Sequence, residues 1–275
     1  MIGKTYVMRP PDTYPRLSRS YRGRFAFRLA TTSYIYPDRI LPNVQALAPF
    51  FDEIEILLFE KDSPPSSEEI LQVKSLLKAE KTTANVHLPL DIDLGARDAE
   101  RRKRDAALTR LRIEETLPWR PTTYCLHIGP APKHPDMTAL EKWRCRAAGS
   151  LGELLRAPVP SRRITVETLD YPFSWVEPLV EEFDLSVCAD LGHLFVHGFE
   201  PLALFERLAP RIEVIHLHGV SGGRDHLPLN RMDPCFLPAT RRILSDFTGV
   251  VSLEGFSFDF LEKSAAFLEE LLAGV

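Results

Sequence analysis

From residue 83 onward, short apolar runs end repeatedly on a histidine or an acid. Thr83-Ala-Asn-Val-His87-Leu, Tyr124-Cys-Leu-His127-Ile, Ile164-Thr-Val-Glu167-Thr, Val187-Cys-Ala-Asp190-Leu-Gly-His193, Ile212-Glu-Val-Ile-His216-Leu-His218 and Val250-Val-Ser-Leu-Glu254 all read this way. Apolar runs of this length bounded by turn signals suit buried strands. A side chain closing such a strand sits at its C-terminal mouth, where parallel α/β folds assemble their sites. One strand-end Asp has an ordinary explanation as the cap of the next helix. A series that recurs strand after strand is hard to assign to chance.

Between these runs lie helical patterns. A first strand near Phe25-Ala-Phe-Arg-Leu runs into Thr31-Thr-Ser-Tyr34, and Ile40 to Phe51 suits a first helix. Ile54-Glu-Ile-Leu-Leu-Phe-Glu60 reads as a second strand ending on a carboxylate. Ser66-Ser-Glu-Glu69 offers a capping box ahead of Ile70, Val73 and Leu77 at helical spacing. Arg97–Arg112 reads as an amphipathic outer helix whose charges form a solvated face. Leu140, Trp143, Ala147, Leu151 and Leu154 line one face of a further helix. Trp175, Leu179 and Phe183 mark another, and Phe260 to Leu272 closes the chain. Eight strand–helix units predict an α/β fold, a single (β/α)8 (TIM) barrel spanning 25–275. An open doubly wound sheet is the alternative, but no glycine-rich phosphate fingerprint follows any strand. Residues 1–24, basic and proline-bearing without periodicity, predict an N-terminal arm that wraps the barrel or is partly disordered.

At 275 residues the chain suits one such barrel. A formal net charge of −4 argues against electrostatic capture of nucleic acid. No apolar run approaches the length of a membrane span, and the N-terminus has no signal-like apolar stretch. Cys125, Cys145, Cys188 and Cys235 lack metal-type spacing and read as buried free thiols of a reducing compartment, so a cytoplasmic protein is expected.

The imidazole and carboxylate mixture suits Zn²⁺, Mn²⁺ or Fe²⁺. His87, His127, Glu167, Asp190, His193, His216, Asp225, His226 and Glu254 are too many donors for one ion. Two or three divalent cations, Zn or Mn, bridged by a carboxylate such as Glu167 or Glu254, use them better. Closely spaced cations are the arrangement that clamps a phosphate and activates water. Other residues stay open between two roles. His218 is a core or supporting histidine or a substrate contact. Glu60 is a substrate contact or a salt-bridge partner. Tyr34 and Tyr36 stack on a planar ligand or pack in the core. Arg224 holds a phosphate oxygen or is an exposed loop arginine. His134 and His197 follow loops and are expected at the surface, and Cys188 is expected to serve packing.

This set resembles the xylose-isomerase-like, or AP-endonuclease-type, TIM-barrel superfamily. Its single-metal sugar isomerases and epimerases keep a Glu, Asp, His, Glu core, matched here by Glu167, Asp190, His216 and Glu254. Its trinuclear phosphodiesterases add histidines, matched by His87, His127, His193 and His226, with Asp225. That resemblance implies a first metal on His87, His127 and Glu167, and a second on Glu167, Asp190, His216 and Glu254. It implies a third on His193, Asp225 and His226. Two departures stand out: Asp225 and His226 are adjacent where the endonuclease pattern is Asp-x-His, and His218 replaces a usual asparagine.

Thr31-Thr-Ser-Tyr-Ile-Tyr-Pro, Ile40-Leu-Pro-Asn-Val, Glu53-Ile-Glu-Ile-Leu-Leu-Phe-Glu60 and Asp225-His-Leu-Pro-Leu resemble the cobamide-remodelling phosphodiesterase family CbiR. That likeness implies a small-molecule corrinoid substrate. It implies hydrolysis of the cobamide nucleotide-loop phosphoester, releasing the lower-ligand riboside (α-ribazole) and a cobinamide derivative for salvage. Glu167 and Glu254 would be its catalytic carboxylates. The rival readings are a one-metal sugar isomerase or epimerase, an AP-endonuclease-like DNA phosphodiesterase, and a non-catalytic corrinoid or metal carrier. Oligomeric state is not legible in the sequence.

Overall fold

The computed structural model describes residues 9–61 and 63–273. Strands β1 (Arg28–Thr32), β2 (Glu53–Leu57), β3 (Thr83–His87), β4 (Tyr124–Leu126), β5 (Ile164–Glu167), β6 (Ser186–Asp190), β7 (Ile212–Leu217) and β10 (Val250–Leu253) pair in parallel and close into a barrel. Arg28 to Thr31 on β1 meet Val250 to Leu253 on β10, so first and last strands seal the cylinder. Between β7 and β10 a two-stranded antiparallel ribbon, β8 (Gly219–Ser221) and β9 (Arg224–Leu227), stands outside it. Helices surround the barrel: α1 (Ile40–Leu47), α2 (Ser67–Glu80), α3 (Ala99–Thr116), α4 (Met137–Leu154), α5 (Glu177–Glu182), α6 (Leu191–Val196), α7 (Pro201–Leu208), α8 (Leu237–Asp246) and α9 (Phe258–Leu272). No helix among the described residues is long and apolar enough to cross a membrane.

Every barrel strand is buried on both faces because helices cover the outside and the opposite strands cover the inside. The outer layer gathers Ile54, Val86, Val166, Val187 and Val251 against α-helical faces. The interior holds a separate small plug of Ala30, Cys125, Cys188, Val214 and Val250, the floor beneath the mouth. Small side chains there let eight strands converge without voids, as expected of layered barrel interiors.

Several boundaries differ from the sequence expectation. β1 begins at Arg28, not Phe25, because only from Arg28 does the chain find β10; Phe25 and Phe27 stack on each other below it, 5.0 Å between centroids. β2 ends at Leu57, so Glu60 lies beyond the strand, exposed. α1 stops at Leu47 ahead of Pro49, and α3 continues to Thr116 before Leu117-Pro118. Ser66 caps α2 by accepting from the Glu69 N–H (3.2 Å). The reciprocal half of the capping box is missing, since the Glu69 carboxylate turns to the Leu41 N–H and the Arg39 guanidinium. Cys145 and Cys235 are exposed rather than buried.

The first eight residues of the expected arm fall outside the described residues. From Arg9 the chain runs without regular structure against the barrel, and Leu17 and Tyr21 are buried in the main core. The Arg22 guanidinium donates to the Glu80 and Lys81 carbonyls at 2.8 Å each, satisfying the end of α2.

Candidate metal centre

Each strand end delivers its side chain to the barrel axis. On β6, Asp190 ends the strand and also caps α6, accepting the His193 N–H at 2.8 Å. The cap therefore fixes the carboxylate rather than competing with a site role. One turn into α6, His193 points back over the mouth, with Nδ1 3.0 Å from the Thr168 carbonyl. Thr168 in turn accepts the Asp190 N–H through its hydroxyl (2.8 Å), locking β5 to β6 at the rim.

Glu167 is the hub. Its Oε2 lies 3.1 Å from His87 Nε2 and 2.9 Å from His127 Nε2, and its Oε1 lies 3.4 Å from His193 Nδ1 and 3.6 Å from His216 Nδ1. Glu254 Oε1 is 3.8 Å from His216 Nδ1, and its Oε2 is 3.3 Å from His226 Nε2. Asp225 sits 3.3 Å from His226 Nδ1. The nine sequence-derived ligand candidates thus form one connected cluster.

Tautomers follow from neighbours with fixed roles, since a carbonyl can only accept and a backbone N–H can only donate. His87 Nδ1 donates to the Leu88 carbonyl (2.9 Å), which leaves an Nε2 lone pair facing the Glu167 carboxylate. His216 Nε2 donates to Glu55 (2.8 Å), which leaves Nδ1 buried without a partner. Glu254 Oε2 has no hydrogen-bond partner either. Unpartnered acceptor atoms such as His216 Nδ1 and Glu254 Oε2, converging in one buried place, are what a cation requires. The donor set fits divalent metal, and four overlapping groups have ligand atoms within 4.8 Å of one another: His87, Cys125, Glu167 and His216; His193, His218 and His226; Glu167, Asp190 and His193; Asp190, His218 and Glu254.

His218 behaves differently. Its Nδ1 accepts the His226 N–H (2.9 Å), so Nε2 carries the proton and donates to Asp190 Oδ2 at 3.3 Å. In that tautomer His218 holds Asp190 in place instead of ligating. Its ring stacks on His226 at 4.2 Å, and His226 stacks on Phe256 at 5.4 Å. His226 has a left-handed backbone, φ 50, a conformation that non-glycine residues adopt at a cost. The residue sits on β9 of a ribbon whose pairing with β8 shifts register, and that ribbon turns on Gly222 and Gly223 with φ 58 and 73, which a primed two-residue hairpin turn demands.

The electrostatics are those of a cluster in which protons occupy the metal positions. Burial opposes ionisation of Glu167, but His127 and His216 outweigh it and hold its pKa well below the usual range. Burial likewise opposes charge on His226, yet Glu254 lifts it to about 9. His87, His193 and His216 are raised against burial by neighbouring acids and, for His87, by Cys125.

The cavity over the cluster measures about 230 Å³ and is walled by His87, His127, His193 and Glu254 below and by Phe59, Leu90 and Phe256 above. A second, about 350 Å³, adjoins it through His127, His193 and Leu90 and reaches Gly129, Pro130 and Asp225. Leu90 and Phe256 are 45% exposed, so the rim is apolar and open.

The proposed substrate contacts fare unevenly. Tyr36 is corrected: it is buried under the arm, its hydroxyl donating to the Pro15 carbonyl and its ring between Tyr14 and Phe258. Tyr34 packs edge-on against Phe59, 4.5 Å away, behind the cavity wall. Glu60 is exposed and faces Ser63. Arg224 projects from β9 into a different groove, beside Asn230, Arg231 and Lys263. His134 and His197 are exposed, and Cys188 is packed in the barrel floor. Sequence reasoning missed Glu55, whose only signal was an acid in the interior of a strand of otherwise buried residues.

The sequence matches the family model described as "Xylose isomerase-like TIM barrel" over residues 45–272. No curated protein matches it. Among solved structures, a D-tagatose 3-epimerase-like protein superposes with a TM-score of 0.75 at 19% identity, covering 90% of this chain and 97% of that one. Endonuclease IV from Thermus thermophilus gives 0.66 at 20% identity, covering 88% and 99%. A 3-keto-D-glucoside 4-epimerase from E. coli gives 0.67 at 14%, covering 89% and 98%. Identities this low establish shared fold only.

Proposed function

Given that the chain belongs to the xylose isomerase-like TIM-barrel family, we propose that it is a metal-dependent phosphodiesterase. Its proposed substrate is a cobamide, cut at the nucleotide-loop phosphoester to give the lower-ligand riboside and a cobinamide derivative. The observation that carries the hydrolase reading is the surplus of imidazoles. Glu167, Asp190, His216 and Glu254 suffice for one cation, yet His87, His127, His193 and His226 converge on the same carboxylates. Two or three divalent cations, zinc or manganese, give every one of them a use.

In this reading His87, His127 and Glu167 hold one cation, Glu167, Asp190, His216 and Glu254 a second, and His193, Asp225 and His226 a third. Bound cations supply an activated water and neutralise the phosphate. The chain's own residues do the rest. Glu167 would belong to two of these sites, with Oε2 beside His87 and His127 and Oε1 beside His193 and His216. Glu55 orients His216, and His218 orients Asp190. Phe256 and Leu90 offer apolar surface to a bulky substrate at the rim, while the 230 Å³ cavity accepts the phosphodiester and not a whole macrocycle. The adjoining cavity gives the second substituent of the diester somewhere to lie. The corrinoid itself is supported by the sequence likeness around Thr31–Pro37, Glu53–Glu60 and Asp225-His226.

A second reading draws on the same core: a sugar epimerase with one divalent cation, Glu167 and Glu254 exchanging the proton. The two carboxylates flank His216 Nδ1 at 3.6 and 3.8 Å, which suits acids on either side of one ion. Metal-reconstituted protein incubated with cobalamin or its adenosyl form, with products read by mass spectrometry, separates the two. α-Ribazole with a cobinamide species is the expected result. Intact cobalamin together with turnover of a ketohexose at one metal per chain would replace the proposal with the epimerase.

A further inference from the structure

We propose that one cation of this cluster is held by a cysteine: Cys125, with His87, Glu167 and His216, forms a buried, soft-donor site in the barrel floor. The inference rests on the multinuclear reading above but regroups its donors, taking His87 and His216 into one site with Cys125 and Glu167 and leaving Asp190, Glu254, Asp225 and the remaining imidazoles to the others.

Cys125 lies on β4 two residues before His127, so its side chain shares the inward face one step deeper. Its Sγ is 3.1 Å from Glu167 Oε2, and that same oxygen is 3.1 Å from His87 Nε2. His216 Nδ1 stands 3.6 Å from the other oxygen. All four donor atoms fall within 4.8 Å of one another. Tetrahedral zinc with bonds of about 2.0–2.3 Å separates its donors by roughly 3.3–3.8 Å, so small movements would close this set on an ion. The four residues are at most 4% exposed.

Two independent features point to an ion there and not to a chance thiol contact. His216 Nδ1 is fully buried and unpartnered, with its tautomer fixed from behind by Glu55. His87 Nε2 is likewise left as a lone pair by the Leu88 carbonyl. Charge balance agrees. A divalent cation with two neutral imidazoles and one carboxylate carries a net positive charge in a dry interior, and a thiolate cancels it. Binding would release the thiol proton to solvent, as metal coordination of a thiol does. Cys188 packs against Cys125 in the floor.

The consequence is a division of labour by depth. This deeper site would have four protein donors, as structural ions do, with His87 and Glu167 also reaching the cavity above it. The mouth sites, lined by His127, His193, His226 and Asp225, face the cavities and keep room for substrate. A thiolate also favours zinc over manganese or magnesium.

X-ray absorption at the zinc edge of the full-length, zinc-loaded protein decides the matter without mutation. A sulfur scatterer at about 2.3 Å is expected; a shell of nitrogen and oxygen alone overturns the proposal. Cobalt-loaded protein should show thiolate-to-cobalt charge transfer in the near ultraviolet, lost in Cys125→Ser and kept in Cys188→Ser. Retention of the band in Cys125→Ser also overturns it. Cleavage of cobalamin by protein whose zinc has no sulfur ligand would sink the thiolate and spare the hydrolase. Failure to retain any metal would sink both.

Discussion

Glu55 and His216 meet 2.8 Å apart in the barrel interior, both fully buried, with the imidazole Nε2 donating to the carboxylate. Ser252 donates to the other carboxylate oxygen. This pair decides which face of His216 looks toward Glu167 and Glu254, and it does so from a strand with no ligand of its own. A carboxylate behind a ligating histidine fixes its tautomer and raises its basicity.

Glu55→Gln should therefore weaken metal binding without removing a ligand. The amide can still accept from Nε2 but carries no charge, so affinity should fall on the order of 10- to 100-fold. Chelator competition measures it. Unchanged affinity would mean that His216 is held by packing alone.

Tyr36 offers the converse test. Its hydroxyl serves the Pro15 carbonyl under the arm, where burial pushes its pKa up to about 12. Tyr36→Phe should cost about 0.5–1.5 kcal/mol of stability, read by urea unfolding, and leave kcat/KM unaltered. A loss of turnover at unchanged stability would return Tyr36 to the substrate.

The contrast between these two residues shows how far the sequence could be read. Strand-end ligands were legible because a parallel barrel puts every strand's C-terminus at one mouth, so periodicity alone places His87, Glu167, Asp190 and Glu254 together. Glu55 was not, because a mid-strand acid gains meaning only from the strand across the barrel, 161 residues away in sequence. Tyr36 sits at the right end of β1, but a single sequence does not show that an irregular arm covers it. Cys125 was set aside for want of cysteine spacing, a rule that presumes the partners are also cysteines. Gly222-Gly223 carried a hairpin signal that a strand-by-strand reading passed over.

Gly192 is required by its neighbour. A Cβ there would fall 1.9 Å from His218 Cε1 and 2.4 Å from Nε2, so the ring that holds Asp190 would have to move. Gly192→Ala should cost about 1–3 kcal/mol by overpacking. It should also lower metal retention, because Asp190 loses the His218 donor. Equilibrium unfolding of the chelated protein and metal analysis of the dialysed protein measure the two effects. Lost stability with full retention would show that Asp190 needs no support from His218.

The cluster also sets a pH signature that differs between metal-free and loaded protein. In the metal-free protein His226 has a folded pKa of about 9 against an ordinary value of 6.5, and His193 and His216 are raised in the same direction. A raised folded pKa means the folded protein binds the extra proton. The stabilisation is complete below about pH 6.5 and is lost as pH climbs through about 9. At the acid end Glu167 and Glu254, both depressed, lose their contribution below about pH 4.5. Cations compete with those same imidazole protons, so their affinity must rise over the interval in which proton-based stability declines. The melting temperature of chelated protein should fall between about pH 7 and about pH 9.5, while the increment gained on adding zinc widens. A chelated melting temperature that stays level over that range would mean the imidazoles are neutral when the metals are gone. The lone pairs would then face one another across a hydrated gap, and the cluster would be kept apart by water rather than drawn together by protons.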